Sequence, residues 1–91
     1  MGFFSSLFTA ALIPSIANFE TKLSDRERFN FGKKEFERSL FQITKAIRMT
    51  ESQSKKRDAI RRLERLCNHG ALDSDERQLL QDQVNDLRRN C

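Results

Sequence analysis

The chain has 91 residues, with seventeen Lys or Arg against thirteen Asp or Glu, a formal net charge of +4, and 37% apolar residues. That length holds one small domain, which buries only about 60–65% of its unfolded surface. Three Gly and one Pro exclude a turn-rich β-domain, and Leu, Arg, Lys, Glu and Gln dominate, which predicts an all-α fold of four to five helices.

Charge divides the chain. Residues 1–19 carry none, so all the charged side chains fall in residues 20–91. The expected organisation is an apolar N-terminal segment, 1–23, on a charged helical body, 24–91, within a single domain. Over residues 3–13 a helical wheel gathers Phe3, Phe4, Leu7, Phe8, Ala11 and Leu12 on one half and Ser5, Ser6 and Thr9 on the other, an amphipathic helix with an aromatic face. It is too short and too interrupted by Pro14 to span a bilayer. A secretory signal needs a basic start, which is missing, although Ser15-Ile16-Ala17 has the small-residue form of a cleavage site. Gly2 to Ser6 fits the loose myristoylation pattern. The apolar face has three candidate destinations: the chain's own core, a protein partner or second copy, or an uncharged membrane interface. Helices on anionic membranes carry basic residues that this one lacks.

Pro14 suits a helix start, and Ile16, Ala17, Phe19 and Leu23 predict a short second helix over 14–23. Ser24-Asp25-Arg26-Glu27 reads as a capping box opening a longer central helix, 24–49. Phe29, Phe36, Leu40, Ile43 and Ile47 form its seam. Gly32 interrupts that seam, so the helix either tolerates a glycine there or begins near Lys33. Phe31 and Phe41 lie off the seam and are candidate contact residues, together with Phe3, Phe4, Leu7, Phe8 and Leu12. Residues 48–58 are polar apart from Met49 and offer caps at Thr50–Gln53 and Ser54, which predicts a break.

Ala59, Ile60, Leu63, Leu66 and Cys67 fall within about 120° of a helical wheel. Asn68-His69-Gly70 ends that helix, with Gly70 expected as a left-handed cap. Asp73-Ser74-Asp75-Glu76 starts the last helix, with its acids at the positive end and Leu79, Leu80, Val84 and Leu87 as its stripe. The two helices, 54–68 and 74–90, are expected to run antiparallel as a hairpin.

"RLERLCNHGALDSDERQLLQDQVNDL", residues 62–87, resembles the SHOCT type of short C-terminal helical hairpin. The resemblance rests on Leu63, Leu66, Gly70, Leu72, Glu76 and the closing leucines. Arg77 departs from it, standing where that family usually has an aromatic. The resemblance implies an appended assembly or interaction hairpin, and no enzyme.

Cys67-x-His69 with Cys91 raises a metal or Cys–His site. A hairpin would put Cys91 roughly 25 Å from Cys67, so Cys67 is expected in the core and His69 at a helix end. Two cysteines without a framework fit a reducing, cytoplasmic compartment. Arg57, Arg61 and Arg65 recur at i, i+4 and i+8 opposite the apolar arc, flanked by Lys55, Lys56 and Arg62, with Lys45 and Arg48 added to the patch. Asp58 and Glu64 sit among them as helix-stabilising pairs.

The expected function is therefore non-enzymatic: a helical protein acting by protein–protein binding or self-assembly, as a regulator, adaptor or assembly factor. Two alternatives remain: a peripheral membrane protein anchored by residues 1–18, and a nucleic-acid binder using the Arg57/Arg61/Arg65 face. No cofactor, metal or small-molecule substrate is expected.

Overall fold

A computed structural model describes the backbone from Leu12 to Asn90 and the side chains from Pro14 onward. The expected helix over 3–13 with Phe3, Phe4, Leu7 and Phe8, the side chain of Leu12, and Cys91 lie outside the described residues. Five helices follow in order: α1 (Leu12–Ser24), α2 (Arg26–Phe29), α3 (Lys33–Met49), α4 (Gln53–Leu66) and α5 (Ser74–Arg89). No strand interrupts them, so the described chain is all-α.

α1 contributes Ile16, Phe19 and Leu23 to the core, at 2%, 2% and 0% exposure. These residues therefore belong to the body, and packing continues across the expected boundary at 23/24. The predicted capping box at Ser24 does not form. Ser24 is still inside α1, and its hydroxyl donates back to the Glu20 carbonyl at 3.0 Å. Asp25 stands at the cap of α2 without a side-chain cap bond.

The central helix is divided. Asn30 adopts the left-handed conformation at φ 53° and closes α2. The chain then turns through Phe31 and Gly32, and α3 begins at Lys33. The seam keeps its phase only after this break. Phe36, Leu40, Ile43 and Ile47 are buried, while Phe29 is 43% exposed beneath the Arg28 guanidinium. Phe31, expected as a contact residue, is 4% exposed instead. The turn folds it inward onto Phe19 and Phe36, with ring centroids 5.7 and 6.4 Å away.

Ser52 caps α4 by accepting from the Lys55 N–H, so the break predicted in 48–58 falls at residues 50–52. Ala59, Ile60, Leu63, Leu66 and Cys67 are all buried. The exit from α4 differs from expectation. The Cys67, Asn68 and His69 N–H groups donate to the Glu64, Arg65 and Leu66 carbonyls, tightening the last turn. No described glycine has positive φ, so Gly70 is not a left-handed cap.

α1 packs on α3 and α4, and α5 packs on the same two helices. Lys33 meets Asp73 and Asp75 at one end of α3, and Arg48 meets Asp86 at 2.8 Å near the other, so α3 and α5 run in the same direction. Glu64 pairs with Arg88, joining the closing turns of α4 and α5. In a side-by-side antiparallel hairpin these two residues would stand roughly 16 Å apart along the axis. α4 therefore crosses α5 at an angle and does not lie alongside it over its full length. The seven residues 67–73 are long enough to allow this, and the Arg77 guanidinium braces them by donating to the His69 and Leu72 carbonyls.

The start of α5 holds the remaining polar structure. The helix starts where the acidic run predicts, and Asp73 and Glu76 cap it with the reciprocal capping box that the sequence pattern places at Ser24–Glu27 instead. Glu76 is 2% exposed. Its carboxylate accepts two parallel bonds from the Arg26 guanidinium, at 2.7 and 2.8 Å, and one from the Asp73 N–H at 3.2 Å. Arg26 also donates to the Phe31 and Ala71 carbonyls. Among the described residues no buried side-chain nitrogen or oxygen lacks a partner.

Two predictions follow from these turns. A Cβ on Gly70 meets nothing within 4 Å, and the backbone there is not left-handed. Gly70→Ala is expected to raise stability in urea unfolding by about 0.4–1 kcal/mol, through lost freedom of the unfolded chain; a decrease would show that a left-handed cap is needed after all.

The second prediction concerns acid. The Glu76 N–H holds the Asp73 carboxyl below its ordinary value of 3.8, a shift opposed by partial desolvation and aided by Lys33. A carboxyl lowered on folding stabilises fully above its unfolded value, and that gain is lost as pH falls through the lowered one. Asp73→Asn keeps the acceptor without titrating. It is expected to be less stable than wild type at about pH 6 and to converge on it as pH falls below the ordinary carboxylate range. A gap of constant size would contradict this assignment.

Candidate functional site

With the core closed, function has to be sought on what the helices leave outside. On α3 the buried seam is Phe36, Leu40, Ile43 and Ile47. Shifting it back by two residues gives Lys34, Arg38, Phe41 and Lys45, about 200° around the helix. All four are exposed. Arg48 and Met49 extend this face, so it runs about 22 Å along the axis. Phe41 and Met49 are 47% and 63% exposed, large apolar side chains standing in water among cations. Arg38 is partly engaged with Glu35 at 3.7 Å and Arg48 with Asp86, while Lys34 and Lys45 make no ion pair among the described residues.

α4 carries the second surface. It holds six cations against two carboxylates, a net of +4 that equals the formal charge of the whole chain. Arg57, Arg61 and Arg65 run down the centre of the exposed arc and make no ion pair among the described residues. Lys55 stands at the edge of the arc, and Arg62 is tied to Asp58 at 3.6 Å. Glu64, expected to pair within its own helix, reaches across to Arg88 instead. Lys56 departs further from expectation. Its position falls inside the apolar arc, and it is half-buried and turned from the arginine row. Arg48, expected to extend this patch, is drawn to α5 by Asp86. Ser54, Lys55, Arg57, Asp58 and Arg61 frame an open hollow of about 350 Å³.

The Cys67 and His69 side chains do not converge. The Cys67 Sγ faces the Leu63 carbonyl at 3.8 Å in the core, and burial pushes its thiol above the ordinary value. A buried, protonated thiol is a poor nucleophile. His69 is committed elsewhere. Its Nδ1 accepts from the Ala71 N–H at 3.0 Å, which places the ring proton on Nε2, 3.0 Å from the Ser24 hydroxyl. The Ser24 hydroxyl accepts a hydrogen bond from Nε2–H and donates its own to the Glu20 backbone carbonyl. An activated serine needs the opposite polarity, with the hydroxyl donating into the imidazole. The pair is therefore a latch between the end of α1 and the 67–73 turn. Among the described residues no group of three or more His, Cys, Asp or Glu is placed to hold a metal ion. No described helix is long and apolar enough to cross a membrane.

Of the residues singled out from sequence, Phe41, Lys55, Arg57, Arg61, Arg62 and Arg65 are on the surface. Phe31 is in the core, and Phe3, Phe4, Leu7, Phe8 and Leu12 fall outside the described side chains. Sequence reading missed Lys34, Arg38 and Met49 as neighbours of Phe41. The signal was present as a second run with the helical period, displaced two residues from the seam. Comparison of the whole chain with family models, curated proteins and solved structures finds no match.

Proposed function

We propose that this protein is a non-enzymatic helical binding module whose outer α3 face docks an acidic protein segment bearing apolar side chains. The observation that carries this reading is the exposure of Phe41 and Met49 within a frame of Lys34, Arg38 and Lys45. Aromatic, Met and Arg side chains are enriched where protein interfaces are buried, and a few of them supply most of the affinity. An amphipathic helix with acidic flanks would cover Phe41 and Met49 and neutralise the lysines.

Charge also selects the kind of partner. A second copy meeting this face through a two-fold axis would set Lys34, Arg38 and Lys45 against a like-charged face, and like-charge juxtaposition is costly. The face therefore suits an unlike partner, and the protein acts as an adaptor or regulator. Self-assembly through residues 1–11 would be a separate event.

The test is direct. Full-length protein is titrated with a fluorescent synthetic helix of about 20 residues, Leu on one face and Glu on the other, designed to match an α-helical groove ligand. Binding is expected, weakening with salt, and Phe41→Asp is expected to weaken it at least tenfold, about 1.4 kcal/mol. Phe41 is outside the core, so the variant's melting curve should overlay wild type. Absence of binding, or equal binding by Phe41→Asp, would refute the reading. Flotation with liposomes in place of peptide binding would reassign the face to a membrane surface.

A further inference from the structure

We infer that the arginine row of α4 is a second, independent binding surface, fitted to the phosphate backbone of a nucleic-acid duplex. Half of the other fourteen Lys and Arg side chains are drawn to carboxylates, while the rest, Lys34 and Lys45 of α3 among them, make no ion pair among the described residues. Arg26, Arg28, Lys33, Arg38, Arg48, Arg62 and Arg88 each face a carboxylate. Arg57, Arg61 and Arg65 do not, although Asp58 and Glu64 lie on the same helix. Asp58 pairs with Arg62 at 3.6 Å, and Glu64 is taken by Arg88 of α5. Both carboxylates are thus occupied by other cations, and three guanidinium groups are left in one exposed line.

The chemistry of that line selects its occupant. It contains no exposed apolar residue, because Ala59, Ile60, Leu63 and Leu66 are all buried. A helix that enters a bilayer interface needs an apolar face to insert, and an arginine at a protein hot spot works inside a desolvated pocket with aromatic or apolar neighbours. Neither is present here, in contrast to the outer face of α3. What remains is a set of planar, permanently charged forks, the side chain best matched to phosphate oxygens.

Spacing agrees. Successive members of an i, i+4, i+8 row advance about 6 Å along the helix; consecutive phosphates of one duplex strand rise about 3.4 Å along the duplex axis but lie roughly 7 Å apart through space, because the strand winds around that axis. The row can therefore engage consecutive phosphates of one strand, with Lys55 at its edge. No aromatic residue lies beyond Phe41 in the sequence, so the α4 face offers no platform for stacking unpaired bases. The expected ligand is a duplex, held by its backbone without sequence preference.

The experiment measures binding of full-length protein to one labelled random-sequence DNA duplex and the matching RNA duplex over a series of salt concentrations. Single-stranded oligothymidine and anionic vesicles form two further arms. Wild type is expected to bind a duplex, with affinity falling by a log–log slope of about −2 to −3, since each neutralised phosphate contributes about −0.9. Single Arg→Gln substitutions at 57, 61 or 65 should each reduce the slope by about 1. The triple Arg57→Gln/Arg61→Gln/Arg65→Gln variant should lose binding at least tenfold while melting like wild type, and Arg28→Gln should behave as wild type. The DNA and RNA arms decide which duplex the row fits. No duplex binding, an unchanged triple variant, or capture of only the single strand or the vesicles would overturn the inference. None of these outcomes depends on Phe41, so this surface and the α3 face stand or fall separately.

Discussion

The Arg26–Glu76 pair fixes how this small bundle closes. Glu76 is almost wholly buried, and its carboxylate receives both arms of the Arg26 guanidinium and the N–H of its own helix cap. Through Arg26 it also reaches the carbonyls of Phe31 and Ala71. One ionic contact thus gathers α2, the turn before α3, the 67–73 connection and the first turn of α5. The glutamate is held away from water with every buried side-chain polar atom of the clasp partnered. A buried ion pair adds little net stability compared with apolar packing, but losing one member leaves a stranded charge, at about 3–5 kcal/mol. Its consequence here is placement. It seats Phe31 against Phe19 and Phe36, and it aims α5 so that it runs with α3 and crosses α4.

From that placement the two outer faces follow. α3 buries its apolar seam against α1, α4 and α5, which turns Phe41, Lys45 and their neighbours toward water. α4 gives Ala59, Ile60, Leu63 and Leu66 to the same core and presents its arginines on the other side. The crossing of α4 over α5 brings Arg88 to Glu64, which leaves Arg57, Arg61 and Arg65 without an acidic neighbour to share. The two faces differ in kind. One mixes apolar anchors with cations, and the other is cationic only. A chain this short has little surface to spare beyond its core, and helices exposed on one side and buried on the other are an economical way to carry two contacts.

Much of this was legible in the sequence, for reasons tied to periodicity. The seam at Phe36, Leu40, Ile43 and Ile47, the arc from Ala59 to Cys67 and the stripe through Leu80, Val84 and Leu87 are each local and buried as their spacing implied, while Leu79 of the same stripe is half-buried at its edge. The acidic cap at Asp73 was likewise local. What the spacing did not reveal were events set by contacts between distant segments. Ser24 matched a capping pattern, but α1 continued through it. Phe29 and Phe31 exchanged fates because Asn30 entered the left-handed region and broke the phase of the seam. Gly70 looked like a helix stop, whereas the turn closed through short-range backbone bonds. The crossing of α4 and α5 that brings Glu64 to Arg88, 24 positions away, is set by contacts between helices, and helix period carries no information about that. Arg26 and Glu76, 50 positions apart, each read as ordinary helix-terminal charges until the fold brought them together.

The most direct test of the clasp is a double-mutant cycle of Arg26→Leu and Glu76→Gln, measured by urea unfolding at neutral pH. Arg26→Leu strands the buried carboxylate and is expected to cost about 3 kcal/mol or more. Glu76→Gln is expected to cost less, because the released guanidinium is partly exposed and keeps its two carbonyl partners. The double variant should recover a coupling energy of at least about 1 kcal/mol relative to the sum of the singles. Strictly additive losses, or an Arg26→Leu protein as stable as wild type, would show that the bundle closes without this contact.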